Sequence, residues 1–360
     1  MNPRHWSAMP PDLPSLTRIC QTEETALRAI FEDIAAAFVP PFDAKIRARI
    51  ASLLTLAEPR RYALQRAHSF HLHAPDLHAL PMHAPERQYF HAVLRHLRLY
   101  PAAITRLTTA LTQRPVPLFP PAPPPYGAAA QTLALHSRTW DRMHAHLSPH
   151  TPNLYHDTPG HHGDLPYPST DFLRYAIAAR RICLAMDKHA PAFLDVGCGI
   201  GLKVFQAAEL FAQADGLEYE PAHAATGQAM MQRGGWPDAR IFHADALSFD
   251  RYGDYDVLYV YKPMYGDALE QMEARLIGQA QPGTLLIAPY TDFTTRFESL
   301  GCTRIEGFLY SIRPPKSLPA ILKRARKIGC ALPARPKNGY AEDGFLAPLH
   351  LALRRWGHGD

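Results

Sequence analysis

A strand that runs into a glycine-rich turn constrains the fold more than any other segment of this chain. Residues 193–201 read FLDVGCGIG, in which an apolar run ends at Asp195 and glycines follow at Gly197, Gly199 and Gly201. Glycine tolerates backbone angles that other residues avoid, and it lets a ligand approach the main chain closely. The segment therefore predicts a buried strand, a tight ligand-binding turn and a helix that begins near Leu202.

The chain after residue 170 alternates helix-like and strand-like segments. A predicted helix over 171–187 leads into the glycine turn, and strand-like runs follow at 214–219, 239–244, 255–261 and 283–290. Strands separated by helices need crossover connections, which produce a mostly parallel sheet with helices on both faces. We expect an α/β fold with a doubly wound, mostly parallel sheet and an N-terminal helical accessory domain.

Two acidic residues follow the next two predicted strands. Glu218 lies at the end of the second strand and Asp245 just after the third. Because an ionised carboxylate only accepts hydrogen bonds, Glu218 suits the two hydroxyls of a ribose. Dinucleotide-binding folds place an acid at the same point, so Glu218 alone does not separate the possible cofactors. The dinucleotide fingerprint GxGxxG, however, needs a glycine where this chain has Leu202.

The GxGxG turn and the two acids resemble the class I S-adenosylmethionine-dependent methyltransferases, with no subfamily indicated, over about residues 171–305. The resemblance implies S-adenosyl-L-methionine as the cofactor. It implies cofactor binding by Asp195, Gly197, Cys198, Gly199, Gly201, Glu218 and Asp245. Asp195 would face the methionine amino group and Asp245 the adenine. For Cys198 we expect the backbone to matter rather than the thiol, because free cysteine commonly behaves as a small apolar residue.

The same resemblance places the transferable methyl group near the end of the fourth strand, which reads YKPM. Tyr261 and Lys262 are therefore the catalytic candidates there. His156 is a third, because it lies in an irregular segment before the first strand, which often covers the active site in this fold. A polar surface loop is the alternative for His156. No metal site is predicted, since the twenty histidines show no repeated ligand spacing.

Proline divides the chain. Seven of the fourteen residues from Arg114 to Gly127 are proline, which excludes a helix or a central strand and favours an extended connector. We expect a helical accessory domain at 1–113, a linker at 114–127, a helix and covering loop at 128–170, a cofactor-binding core at 171–310, and a C-terminal extension with a basic helix and a possible final strand at 311–360. The accessory domain has predicted helices at 22–39, capped by Thr22, at 44–57 and at 87–112.

Composition narrows the function classes. Five cysteines without a CxxC pair favour a reduced, cytoplasmic protein, and no apolar stretch is long enough to suggest a membrane partner. The net charge of +5 is mild, and no concentrated basic-aromatic module is evident, so nucleic acid is not indicated. The sequence leaves the oligomeric state open.

The predicted function is therefore methyl transfer from S-adenosylmethionine to a protein or small-molecule acceptor. Two alternatives stay open. A non-catalytic scaffold would bind the same cofactor without turnover, and an NAD-dependent oxidoreductase would use the same acid after the second strand.

Overall fold

The computed structural model describes residues 12–71, 81, 84–119, 126–149, 167–235, 239–330 and 344–358. The chain forms two compact units, a helical unit of Met1–Arg114 with Pro333–Asp360 and a sheet unit of Pro115–Leu332. The end of the chain thus groups with the N-terminal helices.

Helices and strands follow one another in a simple order. The helical unit contains α1 (Leu13–Ala37), α2 (Ala44–His71) and α3 (Pro85–Thr112). The sheet unit contains α4 (Ala128–Leu147), α5 (Ser169–Ala185), β1 (Ala192–Val196), α6 (Leu202–Ala208), β2 (Gln213–Glu218), α7 (Pro221–Gly234), β3 (Ala239–His243), β4 (Val257–Val260), α8 (Gly266–Gln279), β5 (Leu285–Ile287), β6 (Cys302–Glu306), β7 (Leu309–Ile312) and α9 (Leu318–Ala325). The chain returns to the helical unit with α10 (Ala347–Arg355).

The apolar face of α1 organises the helical unit. Leu27, Phe31 and Ile34 are fully buried, and the ring of Phe345 stacks on that of Phe31 with centroids 6.1 Å apart. The helix packs against α2 and α10. Burial of these side chains supplies most of the stabilisation available to a helix in a globular protein.

The start of α1 differs from the prediction. Asp12 caps the helix, and its Oδ1 accepts a 2.9 Å hydrogen bond from the backbone N–H of Ser15. Thr22 lies within the helix, where its hydroxyl donates to the carbonyl of Arg18. The reason is that Leu16 and Cys20, both fully buried, extend the apolar face upstream of the predicted start.

Helix α2 also runs further than predicted, because it continues through Pro59. A proline inside a helix removes one backbone hydrogen bond. Beyond it, Leu64 and Ala67 remain buried on the same face as Ile50 and Ala57. Packing on both sides of the proline therefore keeps the helix in one piece.

The described residues of the sheet unit form a seven-stranded sheet in the order β3-β2-β1-β4-β5-β7-β6. Neighbouring strands from β3 to β5 are parallel, and β7 is antiparallel to both β5 and β6. The order reverses beside β1, so the carboxyl ends of β1 and β4 form the crevice in which such sheets bind ligands. The doubly wound, mostly parallel sheet predicted from the sequence is confirmed.

The last two strands were not separately predicted. β6 and β7 form a hairpin whose turn contains Gly307 at φ +57°. The four residues of β7 are buried, and this strand brings the hairpin onto β5. Within the described part of the chain, no helix has the length and apolar character needed to cross a membrane.

Candidate cofactor and acceptor site

The glycine turn between β1 and α6 has the backbone conformation that its composition predicts. Gly197, Gly199 and Gly201 have φ values of +77°, +56° and +79°, in the left-handed region that favours glycine. Gly197 also lies close to the end of β4, because a Cβ added to it would come within 2.4 Å of Cβ of Pro263. Any side chain at position 197 would therefore push the turn away from β4.

The backbone amides of the turn are already bonded within the protein. Those of Gly197 and Cys198 donate to the carbonyl of Leu217, at 2.8 and 3.0 Å, and that of Gly201 donates to the carbonyl of Cys198. The amide of Gly199 donates to Oε2 of Glu218 at 2.7 Å. The turn is thus fastened to β2 and offers a ligand its carbonyl groups and the Glu218 carboxylate rather than these four amides.

Glu218 and Asp245 are held at the ends of adjacent strands. Oε1 of Glu218 accepts a second hydrogen bond, from the amide of Glu220 at 2.8 Å. The amide of Ala244 donates to the Glu218 carbonyl, which joins the end of β3 to the end of β2. Asp245 follows directly, and its Oδ1 accepts from the amide of Leu247 at 2.9 Å. Both carboxylates are thereby oriented before any ligand arrives.

Cys198 fills space beneath the turn. A Cβ added to Gly216 of β2 would come within 2.5 Å of its Sγ and 2.9 Å of Cγ2 of Val204. The thiol therefore packs tightly between β2 and α6. The Sγ also lies 3.5 Å from the Gly199 carbonyl oxygen.

Asp195 and Tyr259 are directly opposite each other on β1 and β4. Both are nearly fully buried, at 2% exposure. The Tyr259 hydroxyl has no hydrogen-bond partner among the described residues. Burial raises the pKa of this phenol well above its usual value, and the charge of Asp195 adds to the shift. A buried donor without a partner is costly, and the Tyr259 ring packs against Tyr167 and Phe172.

Three tyrosines meet at the end of β4. The ring centroid of Tyr167 lies 4.8 Å from the ring centroid of Tyr261 and 6.3 Å from that of Tyr259. Tyr167 belongs to the predicted covering loop and is its first described residue after the gap at 150–166, so the end of this loop lies beside the end of β4. His156, with its neighbours Tyr155, His161 and His162, lies outside the described residues.

Lys262 follows Tyr261 in a conformation unusual for a residue with a side chain, at φ +46°. Its Nζ forms a 2.8 Å ion pair with Oδ2 of Asp292. The lysine lowers the pKa of the Asp292 carboxyl by this bond. The ammonium of Lys262 is therefore held by a carboxylate at the rim of the site.

The sequence interpretation missed Lys203, the second residue of α6. Its Nζ lies 5.8 Å from the ring centroid of Phe172, and burial lowers the pKa of its ammonium to about 8, against the opposing effects of Asp195 and Asp141. A lysine two residues after Gly201, in the first turn of the helix, was the available signal. In the parts of the chain that the structure describes, no group of three or more His, Cys, Asp or Glu side chains could hold a metal ion.

Several solved structures resemble part of the chain. An RNA methyltransferase from Salinibacter ruber, in complex with S-adenosyl-L-homocysteine, matches with a TM-score of 0.31 and 20% identity over 43% of this chain and 99% of its own. An amino pentose methyltransferase from Micromonospora echinaspora matches with a TM-score of 0.26 and 24% identity over 36% of this chain and 59% of its own. A precorrin-6y C5,15-methyltransferase from Geobacter metallireducens matches with a TM-score of 0.28 and 16% identity over 34% of this chain and 70% of its own.

No family model and no curated protein matches the chain. The strand order itself defines the class of fold. A seven-stranded sheet in the order β3-β2-β1-β4-β5-β7-β6, with β7 alone reversed, is the class I methyltransferase fold.

Proposed function

We propose that the sheet unit binds S-adenosyl-L-methionine and transfers its methyl group to an acceptor at the end of β4. The observation that carries this proposal is the bond from the Gly199 amide to the Glu218 carboxylate. It places a pure acceptor beside a turn of three glycines in the left-handed region, where the missing side chains let a ligand approach the main chain.

The hydrogen bonds of the turn favour this cofactor over a dinucleotide. A pyrophosphate binds free amides in the glycine turn and at the N-terminus of the following helix. Here the amides of Gly197, Cys198, Gly199 and Gly201 have protein acceptors, and α6 is only seven residues long. The Glu218 carboxylate beside these amides is an acceptor, which matches the hydroxyls of a ribose.

The expected cofactor contacts follow from these positions. Glu218 would accept from the ribose hydroxyls, Asp245 would lie toward the adenine, and Asp195 toward the methionine amino group. The turn from Gly197 to Gly201, including the backbone of Cys198, would lie against the ligand. All of these positions lie at the carboxyl ends of β1 to β3, on one edge of the sheet.

When bound, the cofactor supplies a methyl group on a positively charged sulfur, and displacement from that sulfur is in line. The chain must orient the acceptor and exclude water. Tyr167 and Tyr261 form an aromatic wall at the predicted methyl position. The Tyr261 hydroxyl would orient the acceptor through a hydrogen bond or relay its proton, taking it up only as it releases its own. Lys262, fixed by Asp292, would orient a polar part of the acceptor, and His156 stays a proposed contact from the covering loop.

The charges around the crevice favour a protein or small-molecule acceptor over a strongly anionic one. Lys262 is paired with Asp292, and Lys203 lies near Asp195 and Asp141. The charges of Lys262 and Lys203 are therefore balanced by nearby carboxylates. Little positive electrostatic potential remains there to attract a phosphate backbone.

Two measurements test the function. Calorimetry with S-adenosylmethionine, S-adenosylhomocysteine and NAD should show binding of the first two and not the third. Incubation with cofactor carrying a labelled methyl group and fractions of a cell extract should then label an acceptor. Binding of NAD alone would replace the proposal with the oxidoreductase alternative. Binding of S-adenosylhomocysteine without any labelled product would favour the non-catalytic scaffold.

A further inference from the structure

Positive charge is concentrated in the helical unit. Its residues, Met1–Arg114 and Pro333–Asp360, include eighteen Lys and Arg and twelve Asp and Glu, a net charge of +6. The sheet unit, Pro115–Leu332, includes twenty Lys and Arg and twenty-one Asp and Glu, a net charge of −1. The positive charge of the chain therefore lies almost entirely in the helical unit. Such an asymmetry between parts of a chain is typical of proteins that bind a polyanion.

Helix α2 carries much of this charge. It contains six Lys and Arg residues and a single acid, Glu58. Two of the cations are paired, Arg60 with Glu23 and Arg61 with Glu58. The first turns of the helix add Lys45, Arg47 and Arg49, which are all exposed.

The second half of α2 combines cations with an exposed ring, Tyr62, and a half-buried ring, Phe70. Tyr62, Arg66 and Phe70 recur every four residues and so lie along one face of the helix. Tyr62 is 62% exposed, and the guanidinium of Arg61 lies 4.2 Å from its ring centroid. The guanidinium of Arg66 lies 5.7 Å from the ring centroid of Phe70. A groove of about 370 Å³, which we call the α2 groove, is lined by Tyr62, Gln65, Arg66, Ser69 and Phe70.

The chemistry of the α2 groove fits single-stranded RNA. Unpaired bases stack on aromatic rings and on guanidinium planes, while cations attract the phosphates. The exposed Nε2 of Gln65 can donate to a ribose 2′-hydroxyl, and the Ser69 oxygen can accept from one, while the Ser69 O–H donates to the Gln65 carbonyl. A membrane surface fits poorly, because the apolar face of α2, with Ile50 and Leu64, is already buried within the unit. An acidic peptide would use the cations and leave the rings without a role.

We propose that the α2 groove of the helical unit binds single-stranded RNA. The sequence analysis did not predict this surface, because Tyr62, Arg66 and Phe70 are four residues apart and become neighbours only when the segment is helical. The proposal concerns a binding surface and does not depend on what the sheet unit methylates.

Fluorescence anisotropy of the full chain with a labelled twelve-nucleotide single-stranded RNA tests the proposal. We expect Tyr62→Ala combined with Phe70→Ala to weaken binding at least tenfold, because two stacking surfaces are lost. Leu56→Ala, a residue of the same helix that is 57% exposed, is the matched control and should leave affinity unchanged. Circular dichroism should show equal helix content in all three proteins.

Salt titration gives a second readout. Arg66→Gln should reduce the slope of log affinity against log salt by about 0.7 if Arg66 contacts one phosphate of a single strand. Absence of RNA binding, or equal binding by the double variant and the wild type, would overturn the proposal. Equal affinity for DNA of the same sequence would overturn the choice of RNA, and stronger binding to polyglutamate or to anionic phosphatidylglycerol vesicles would assign the surface to another partner.

Discussion

The backbone amide of Gly199 donates a 2.7 Å hydrogen bond to the Glu218 carboxylate, which joins the turn after β1 to the end of β2. The turn and the acid therefore form one preorganised unit. A ligand that bonds to Glu218 meets a carboxylate whose position is already set, so little ordering cost is left for binding.

Removal of this carboxylate should weaken cofactor binding. Glu218→Ala deletes the acceptor for two ribose hydroxyls, and hydrogen bonds to charged groups contribute about 1.5–3 kcal/mol each. We expect calorimetry to show at least a tenfold lower affinity for S-adenosylhomocysteine. Glu306→Ala, an exposed glutamate on β6 at the far edge of the same sheet, is the control and should bind as the wild type does. Equal affinity of both variants would show that Glu218 is not a ribose ligand.

Alanine should destabilise the protein by different amounts at two glycines that have similar backbone angles, Gly235 and Gly197. Gly235 has φ +67° and open space around it, so Gly235→Ala should cost about 1–2 kcal/mol of unfolding free energy from backbone conformation alone. Gly197→Ala adds a clash with Pro263 and should cost at least about 1 kcal/mol more, with loss of S-adenosylhomocysteine binding. Denaturant unfolding and calorimetry measure both effects. Similar behaviour of the two variants would mean that the turn and β4 do not touch.

The contact between Cys198 and Gly216 should appear as an energetic coupling. Gly216→Ala drives a methyl group into Sγ of Cys198 and should cost about 1–3 kcal/mol. Adding Cys198→Ala should recover part of that loss, since the sulfur is removed, although Val204 still limits the recovery. In denaturant unfolding, Gly216→Ala combined with Cys302→Ala should be additive, because β6 lies at the opposite edge of the sheet from β2. An additive result for the first pair would contradict the packing role of Cys198.

Lys203 should make stability depend on pH in a defined window. Its pKa is about 8 in the folded protein, against about 10.4 in an unfolded chain, so the unfolded state binds more protons between these values. The contribution of Lys203 to stability therefore rises with pH from about 8 to about 10.4, and below that window its buried ammonium is destabilising. Lys203→Met should raise Tm at pH 7, and the gain should shrink toward pH 10. Lys316→Met, at an exposed position, is the control, and a pH-independent gain for Lys203→Met would contradict the shifted pKa.

Tyr261→Phe should reduce methyl transfer more than cofactor affinity. The change removes the hydroxyl and keeps the ring that contacts Tyr167. We expect incorporation of labelled methyl into the extract acceptor to fall at least tenfold, a size typical of losing one proton-transfer or orienting group, with unchanged affinity for S-adenosylhomocysteine. Tyr265→Phe, a half-exposed tyrosine just beyond the site, should retain full transfer. A silent Tyr261→Phe would assign this residue to packing.

Local patterns in the sequence were sufficient for the sheet and for the glycine turn. Buried parallel strands appear as short apolar runs, and Gly197, Gly199 and Gly201 indicate left-handed backbone without reference to distant residues. The spacing from Asp195 to Glu218 follows from one strand–helix–strand unit. Helix ends were less certain, because the cap at Asp12 and the passage through Pro59 depend on which side chains find a buried face.

Tertiary structure alone decided the contacts that join distant segments. The amides of Gly197 and Cys198 bond to Leu217 only because β1 and β2 are adjacent. The ion pair of Lys262 with Asp292, and the meeting of Tyr167 with Tyr261, join segments whose separation in sequence carries no periodic signal. Sequence patterns report interactions within one element, since side-chain direction repeats every two or 3.6 residues. Which elements become neighbours is decided by how the whole chain buries its apolar surface, and that is a property of the folded molecule.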